Sequence, residues 1–377
     1  MADQPDLSQL RETIEAIDRE ILALLAKRLE VVVPIAEAKL EAASPFRDSL
    51  RESIVFSRVR ELAGEHGLDP HRAEALYRVL LEWSVARQQD HVRRRDTAPL
   101  RVAYQGVEGC YTHLAARQRY AGRSGGALLS GHPTFRDVAK AVRQRDADVG
   151  LMPIENTTAG SITATYDLLA EGGLSITAEV VNHIQHCLLA LPGQTVEGLR
   201  EVHSHPQALG QCERFFVDHP WIRPVEAFDT AGAARMVADR GDPAFGAIAS
   251  EEASTRYGLE VLARHIQTQT GNYTRFVEVA TEPVVFDCDG PCKTTVMMEL
   301  THEPGALARV LSALAQHRVD LSKLESRPIV GKPWSYRFYA DLAGHRASKE
   351  VSAALELAEK ECAELRVLGC YPAADVG

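Results

Sequence analysis

An excess of basic charge is missing from this chain: its 377 residues carry 52 acidic against 42 basic side chains, a formal net charge of −10. No basic stripe is interleaved with aromatics, which make up only 6% of the residues, so nucleic acid is set aside as a partner. Long apolar runs are absent too. No stretch of 18 apolar residues occurs, and Met1-Ala2-Asp3-Gln4-Pro5-Asp6 has neither a basic start nor an apolar core, so no membrane span or secretory leader is expected. Cysteine is sparse and odd in number, seven residues at 110, 187, 212, 288, 292, 362 and 370, which speaks against a disulfide framework. Cys288 and Cys292 are four apart, and His183, His186 and Cys187 cluster, but neither group has a second pair at zinc spacing. Free thiols, no metal site and a soluble cytoplasmic protein are the expectation. The pair Gly106 and Gly109 lacks the third glycine and the later acidic residue of a dinucleotide fingerprint, so no nucleotide cofactor is expected.

What is present falls into three textures, and the length allows two or three domains. From Leu7 to about Gln89 apolar residues recur at helical spacing, with breaks near Pro45 and between Gly64 and Gly67, which predicts three helices. The first runs from about Leu7 to Leu40, with an apolar face of Leu10, Ile14, Ile17, Ile21, Leu24, Leu25 and Val31 that two shorter helices cannot cover, so a second chain is expected there. Pro34 predicts a kink in it. Arg28 and Lys39 are 11 residues apart, nearly three turns, which sets both on one face about 16 Å apart along the axis. Ser84 and Gln88 form an i, i+4 pair on the third helix, while Asp48, Arg51 and Glu52 open the second. Taken singly, each of these charges also fits a solvated helix face.

After the hinge that ends at Pro99, short apolar strands alternate with helices, the mark of open α/β sheets. Strand ends meet helix starts after Gln105, Ile154, Ser204, Phe228 and Ala249, and such helix N-termini attract anions. In Asn272-Tyr273-Thr274-Arg275-Phe276 a hydroxyl and a guanidinium sit side by side between aromatics. A guanidinium can clamp a carboxylate, and a hydroxyl in a dry pocket can donate where charge develops, although the stretch also reads as an ordinary strand. Beyond Pro283 the order becomes strand, helix, strand, strand, helix, strand, a ferredoxin-like split.

In order and spacing, Arg11, Arg28, Lys39, Asp48, Arg51, Glu52, Ser84 and Gln88 resemble the all-helical chorismate mutase module. The resemblance implies that Arg11 and Arg28 hold two carboxylates and that Lys39 and Gln88 stabilise the breaking ether oxygen. Asp48, Arg51 and Glu52 would stand around the ring hydroxyl, and Ser84 near a carboxylate. Pro153-Ile154-Glu155-Asn156-Thr157, Ser204-His205-Pro206-Gln207 and Asn272 to Phe276 resemble the motifs of prephenate dehydratase. They imply two lobes of the periplasmic-binding-protein type, with Thr274 as proton donor to the departing hydroxyl and Arg275 as carboxylate clamp. Glu155, Asn156, Thr157, Ser204, His205, Gln207 and Phe276 would line the substrate, with Thr112 serving where Cys110 replaces a more usual serine. Pro304-Gly305-Ala306-Leu307 and Glu325-Ser326-Arg327-Pro328 resemble the phenylalanine-binding motifs of the ACT regulatory domain.

The expectation is therefore a multidomain chain: an all-α mutase domain over 1–95, a two-lobed α/β dehydratase domain over 99–282 and an α+β ferredoxin-like ACT domain over 293–377. As a member of the bifunctional chorismate mutase and prephenate dehydratase family it would turn chorismate into prephenate and prephenate into phenylpyruvate. It would need no cofactor, respond to L-phenylalanine, and form a homodimer or larger. An arogenate dehydratase and a non-catalytic solute sensor are the alternatives.

Overall fold

The computed structural model describes residues 6–41, 49–95, 98–123, 125–284, 290–329, 331–332 and 334–374. The chain divides into two compact units, one of residues up to Thr97 with Val284–Asp287, the other comprising Ala98–Pro283 with Cys288–Gly377. The second and third expected domains thus pack as one body.

The first unit is three helices: α1 Leu7–Glu41, α2 Ser49–Glu65 and α3 Pro70–Arg95. Asp69 starts α3 by accepting from the N–H groups of His71 and Arg72 at 2.8 and 3.2 Å, with Pro70 in the first turn where its missing N–H costs nothing. The buried core is small, built from Val32, Ala36, Val59, Ala63, Leu80 and Val85. Leu10, Ile14, Ile17, Ile21 and Leu24, the expected apolar face of α1, stay exposed in the single chain. Pro34 lies within α1, which continues past it.

The second unit opens with β1 Leu100–Gln105, α4 Tyr111–Tyr120, β2 Ala127–His132, α5 Phe135–Arg143, β3 Val149–Asn156, β4 Gly160–Ser161, α6 Thr163–Ala170 and β5 Ser175–His183. The chain then crosses to a second lobe of β6 Cys187–Ala190, β7 Glu201–Ser204, α7 Pro206–Gln211, α8 Glu213–Asp218, β8 Arg223–Glu226, α9 Thr230–Arg240, β9 Phe245–Ala249, α10 Glu251–Tyr257 and β10 Glu260–Ala263. It returns as β11 Tyr273–Ala280, which inserts antiparallel between β5 and β3. The ferredoxin-like part follows: β12 Cys292–Leu300, α11 Ala306–Gln316, β13 Leu321–Pro328, β14 Tyr336–Ala343, α12 Lys349–Glu359 and β15 Cys362–Pro372.

The five strands of the second lobe order as β10-β6-β9-β7-β8. The other sheet has ten strands, in order β13-β14-β12-β15-β5-β11-β3-β1-β2 with β4 beside β3, so the ferredoxin-like sheet and the first lobe share one continuous ladder. The seam is the parallel pairing of Gly369 in β15 with Ile176 in β5. A Cβ on residue 369 would stand 2.3 Å from the Ile176 carbonyl oxygen, so only glycine permits the approach.

Five described cysteines are free, but Cys292 is disulfide-bonded, which corrects the expectation of free thiols throughout; Cys288 lies outside the described residues. No described helix is long and apolar enough to cross a membrane.

Candidate active sites

In the helical unit, Arg28 on α1 donates to Ser84 Oγ at 2.5 Å and to the Leu80 carbonyl at 3.2 Å, which joins α1 to α3. Gln88, one turn beyond Ser84 on α3, is buried with Oε1 lacking a partner, an unfilled acceptor. Lys39 and Glu52 are half-buried, Arg51 and Arg11 are exposed, and Asp48 lies outside the described residues. Arg28 and Ser84 come together, with Gln88 one turn beyond Ser84 on α3; Arg11, 17 residues before Arg28 on α1, stands about 25 Å away along the axis.

Between the two lobes of the second unit lies a cavity of about 480 Å³, within the range of small-molecule sites. Thr274 and Phe276 of β11, Asn156 of β3, Thr112 of α4, and His205 and Gln207 at the start of α7 line it, six of the residues expected there. Strand alternation explains β11: Thr274 and Phe276 point one way and Arg275 the other. Asn156 pairs across from Thr274 in register and donates from Nδ2 to Thr274 Oγ1 at 2.9 Å. With its oxygen accepting, Thr274 is left to donate its own hydrogen into the cavity.

Among the described residues no lysine or arginine lines the cavity. The N-terminal turns of α4 and α9 turn their positive dipole ends toward it, their caps Cys110 and Asp229 and first residues Tyr111, Thr112 and Thr230 all lining the wall, with the Asp229 carboxylate, whose Oδ2 has no partner, set against them. The Cys110 thiol accepts from His113 N at 3.4 Å and donates to the Gln105 carbonyl at 3.4 Å, so sulfur fills the serine's capping role. Burial pushes the thiol up to about 12, so it stays protonated at neutral pH. His205 caps α7 through Nδ1, and its burial lowers its pKa below the usual histidine value. No group of three metal-binding side chains occurs among the described residues.

Four expected substrate contacts lie outside the cavity wall and are engaged elsewhere. Arg275 faces away from the cavity, its Nη1 2.6 Å from Asp341 Oδ2 on β14 and its Nε 3.7 Å from Glu179. Glu155, its cross-strand neighbour, points the same way and meets Lys323 of β13 at 2.8 Å. Ser204 is fully buried and donates to the Ile248 carbonyl at 2.6 Å, holding β7 to β9. Thr157 closes the turn by donating to the Gly271 carbonyl at 2.8 Å and accepting from Tyr273 N. In the ferredoxin-like part, Gly305 has φ +84° at the start of α11, ahead of Ala306 and Leu307. Glu325 accepts from Ser161 at 2.6 Å and Arg327 pairs with Asp167 at 2.8 Å, so the motif on β13, which also carries Ser326 and Pro328, abuts the first lobe.

Reading the sequence missed Gln211, Tyr111, Ile162, Ile184, Phe228 and Asp229, all in the cavity wall. Apart from Gln211, which ends α7 and carried no signal, their sequence signal was position at strand ends and helix starts. Gln211 links Thr158, Asn156 and Asn272 by donating at 2.6 and 3.3 Å and accepting at 3.1 Å.

Comparison with known proteins decides the family. Residues 10–89 match the family chorismate mutase type II, 102–284 prephenate dehydratase and 294–356 the ACT domain. The bifunctional chorismate mutase/prephenate dehydratase of Escherichia coli K12 is 37% identical over 380 residues, covering 100% of this chain and 98% of that protein. The chain belongs to the bifunctional chorismate mutase/prephenate dehydratase family. Among solved structures, prephenate dehydratase from Arthrobacter aurescens in complex with L-Phe is 30% identical, with a TM-score of 0.66 over 72% of this chain and 90% of that one. The quorum-quenching acylase GqqA is 34% identical, with a TM-score of 0.65 over 72% of this chain and 98% of that one. The family membership carries two activities of phenylalanine biosynthesis, a mutase and a dehydratase, together with a regulatory ACT domain.

Proposed function

We propose the following division of labour. In the dehydratase cavity, the bond from the ring to its carboxylate breaks to release carbon dioxide, and its electron pair makes the ring aromatic as the C–O bond to the hydroxyl breaks. Thr274 supplies the proton that turns the departing hydroxide into water and regains one from solvent, so each turnover consumes one proton. The observation that carries this is the Asn156 bond to Thr274 Oγ1, which aims the threonine hydrogen into the cavity. Phe276, Thr112, His205 and Gln207 shape the pocket, and the helix N-termini hold the substrate's carboxylates. Purified protein given chorismate should form prephenate and then phenylpyruvate, and given prephenate, phenylpyruvate alone. A protein that binds prephenate without turning it over would instead be a solute sensor, and faster turnover of arogenate would reassign the substrate.

Arg28, Ser84 and Gln88 form the core of the mutase site, with Lys39 and Gln88 serving the ether oxygen and Arg51 and Glu52 beside it. Because Arg11 cannot reach Arg28's substrate along a single α1, the site is completed by Arg11 of a second copy, whose α1 covers the exposed apolar stripe. The oligomer is therefore a dimer at least. The protein is assigned to the cytoplasm on the five free cysteines among the described residues, against which stands the one disulfide-bonded residue, Cys292.

L-Phenylalanine acts at the ferredoxin-like part through Gly305 to Leu307 and Glu325 to Pro328, and inhibits the dehydratase. Support for the route comes from the contacts that join the parts. Arg275 meets Asp341, whose other oxygen accepts from Thr295 at 2.6 Å, and Lys293 grips Glu179 at 2.8 Å. Arg275 adjoins Thr274 on β11, so a shift of β14 relative to β5 moves the proton donor.

A further inference from the structure

The cavity must accept a dianion without a lysine or arginine in its wall, and His186, 2% exposed, lines it just before β6. Each of its ring nitrogens faces an oxygen: Nδ1 lies 2.9 Å from the Tyr111 hydroxyl and Nε2 lies 2.8 Å from Gln211 Oε1. The backbone fixes which atoms these are. Asn156 Oδ1 accepts from the N–H groups of Thr158 and Ala159 at 3.0 and 2.9 Å, so Nδ2 is the atom that donates to Asn272 Oδ1 at 2.7 Å. Asn272 then offers Nδ2 to Gln211 at 3.1 Å, which makes the Gln211 atom beside His186 the oxygen. His186 Nε2 must therefore carry a hydrogen. On the other side, the Tyr111 hydroxyl commits its single hydrogen to the Gln185 carbonyl at 2.6 Å and can only accept from Nδ1. The neutral ring, with its hydrogen on Nε2, leaves Nδ1 facing the Tyr111 oxygen with no hydrogen between them, and only the imidazolium makes both bonds.

Burial opposes this and lowers the pKa of His186, with the Gln211 bond pulling it back up. The titratable group in contact with the ring is the Tyr111 phenol of α4, which itself lies near the thiols of Cys187 and Cys212, and Cys110, His205 and Asp229 share the cavity wall. No described carboxylate or guanidinium contributes to its balance, so the charge of an incoming ligand can tip it.

We propose that His186 takes up a proton when the anionic substrate enters the cavity, and that the resulting imidazolium is the cation that holds and orients the dianion. The proposal deepens the dehydratase reading and rests on it. The proton comes from solvent on binding and returns there when carbon dioxide and the monoanionic product leave. His186 acts here as a charge-supplying, positioning residue, and Thr274 remains the proton donor to the leaving hydroxyl.

Calorimetry of full-length Thr274→Ala protein titrated with prephenate at pH 7.5, in buffers of differing ionisation enthalpy, reads the proton directly. The expected result is net uptake approaching one proton per dehydratase site, lost when His186→Gln is added, with affinity falling about tenfold or more. Any proton linked to the mutase site is common to both titrations and cancels in the difference. NMR of the histidine rings in the Thr274→Ala protein, with and without prephenate, reads the same protonation without altering His186. A neutral ring in the complex, or equal uptake in both backgrounds, overturns the proposal. Absence of phenylpyruvate formation by the unmodified enzyme would overturn the dehydratase reading itself, and this proposal with it.

Discussion

A single amide decides the direction of the Thr274 proton. Asn156→Asp keeps the side-chain shape but replaces the donor by an acceptor, so Thr274 would turn its hydrogen away from the cavity. Dehydratase kcat should fall by ~10²–10³ in Asn156→Asp and in Thr274→Ala, while Thr274→Ser keeps most of it and chorismate consumption is unaffected in all three. Near-normal phenylpyruvate formation by Thr274→Ala would remove the proton donor from the scheme. Burial lowers the pKa values of His113, His186, His203 and His205, so in the free enzyme the folded state binds fewer protons than the unfolded chain below the ordinary value of 6.5. Stability from these groups is complete above that value and is lost as pH falls through it. The melting temperature should drop between pH 7.5 and 5.5 at constant ionic strength, and a flat profile over that window would contradict the sign.

Strand β11 is a two-sided element, with Thr274 and Phe276 toward the cavity and Arg275 toward β14. Removing the Asp341 charge takes from the buried Arg275 its 2.6 Å partner and leaves Glu179 at 3.7 Å and Glu155 at 3.9 Å, which costs up to about 3 kcal/mol. Asp341→Asn should therefore lower the melting temperature and weaken L-phenylalanine inhibition, while dehydratase activity without effector stays close to normal. At the seam, Gly369→Val would drive a side chain into the Ile176 carbonyl and part β15 from β5. Inhibition curves for the two variants test the same joint from separate elements; unchanged response in both would show that regulation travels elsewhere.

At the scale of the whole molecule, the proposal that each mutase site is shared between two copies of α1 can be tested by complementation. Arg11→Ala and Arg28→Ala homodimers should both lack mutase activity, yet in a mixed dimer one site carries both lesions and the other carries neither. Co-refolding equal amounts makes half the dimers mixed, so about a quarter of all sites should be intact. Mutase activity recovering to near that fraction would support the shared site; no recovery in verified mixed dimers would place Arg11 outside it. The apolar residues Leu10, Ile14, Ile17 and Ile21 predict that this dimer survives dilution better than a charge-mediated contact.

By itself the sequence determined what local periodicity and capping control. Helical spacing gave α1, α2 and α3, alternating strands and caps gave the junctions at Ser204, Asp229 and Ser250, and the βαββαβ order followed the turns. The motif around Thr274 also located the strand that carries it. Tertiary structure decided which face each motif residue shows and what it meets. Arg275 and Glu155 look like substrate ligands in sequence because they adjoin Thr274 and Asn156, but period-two alternation turns both toward β13 and β14, elements nearly 50 or more residues away along the chain. Gln211 and His186 carried no signal, since a glutamine ending a short helix and a histidine after a strand gain meaning only when β3, α4, α7 and β11 bring their partners within 3 Å or so. The union of the two sheets was equally hidden, because it depends on one glycine at position 369 meeting a strand almost two hundred residues earlier. Spacing along a chain encodes local dihedral choices, whereas contacts between distant segments are set by the packing that closes the whole body around them.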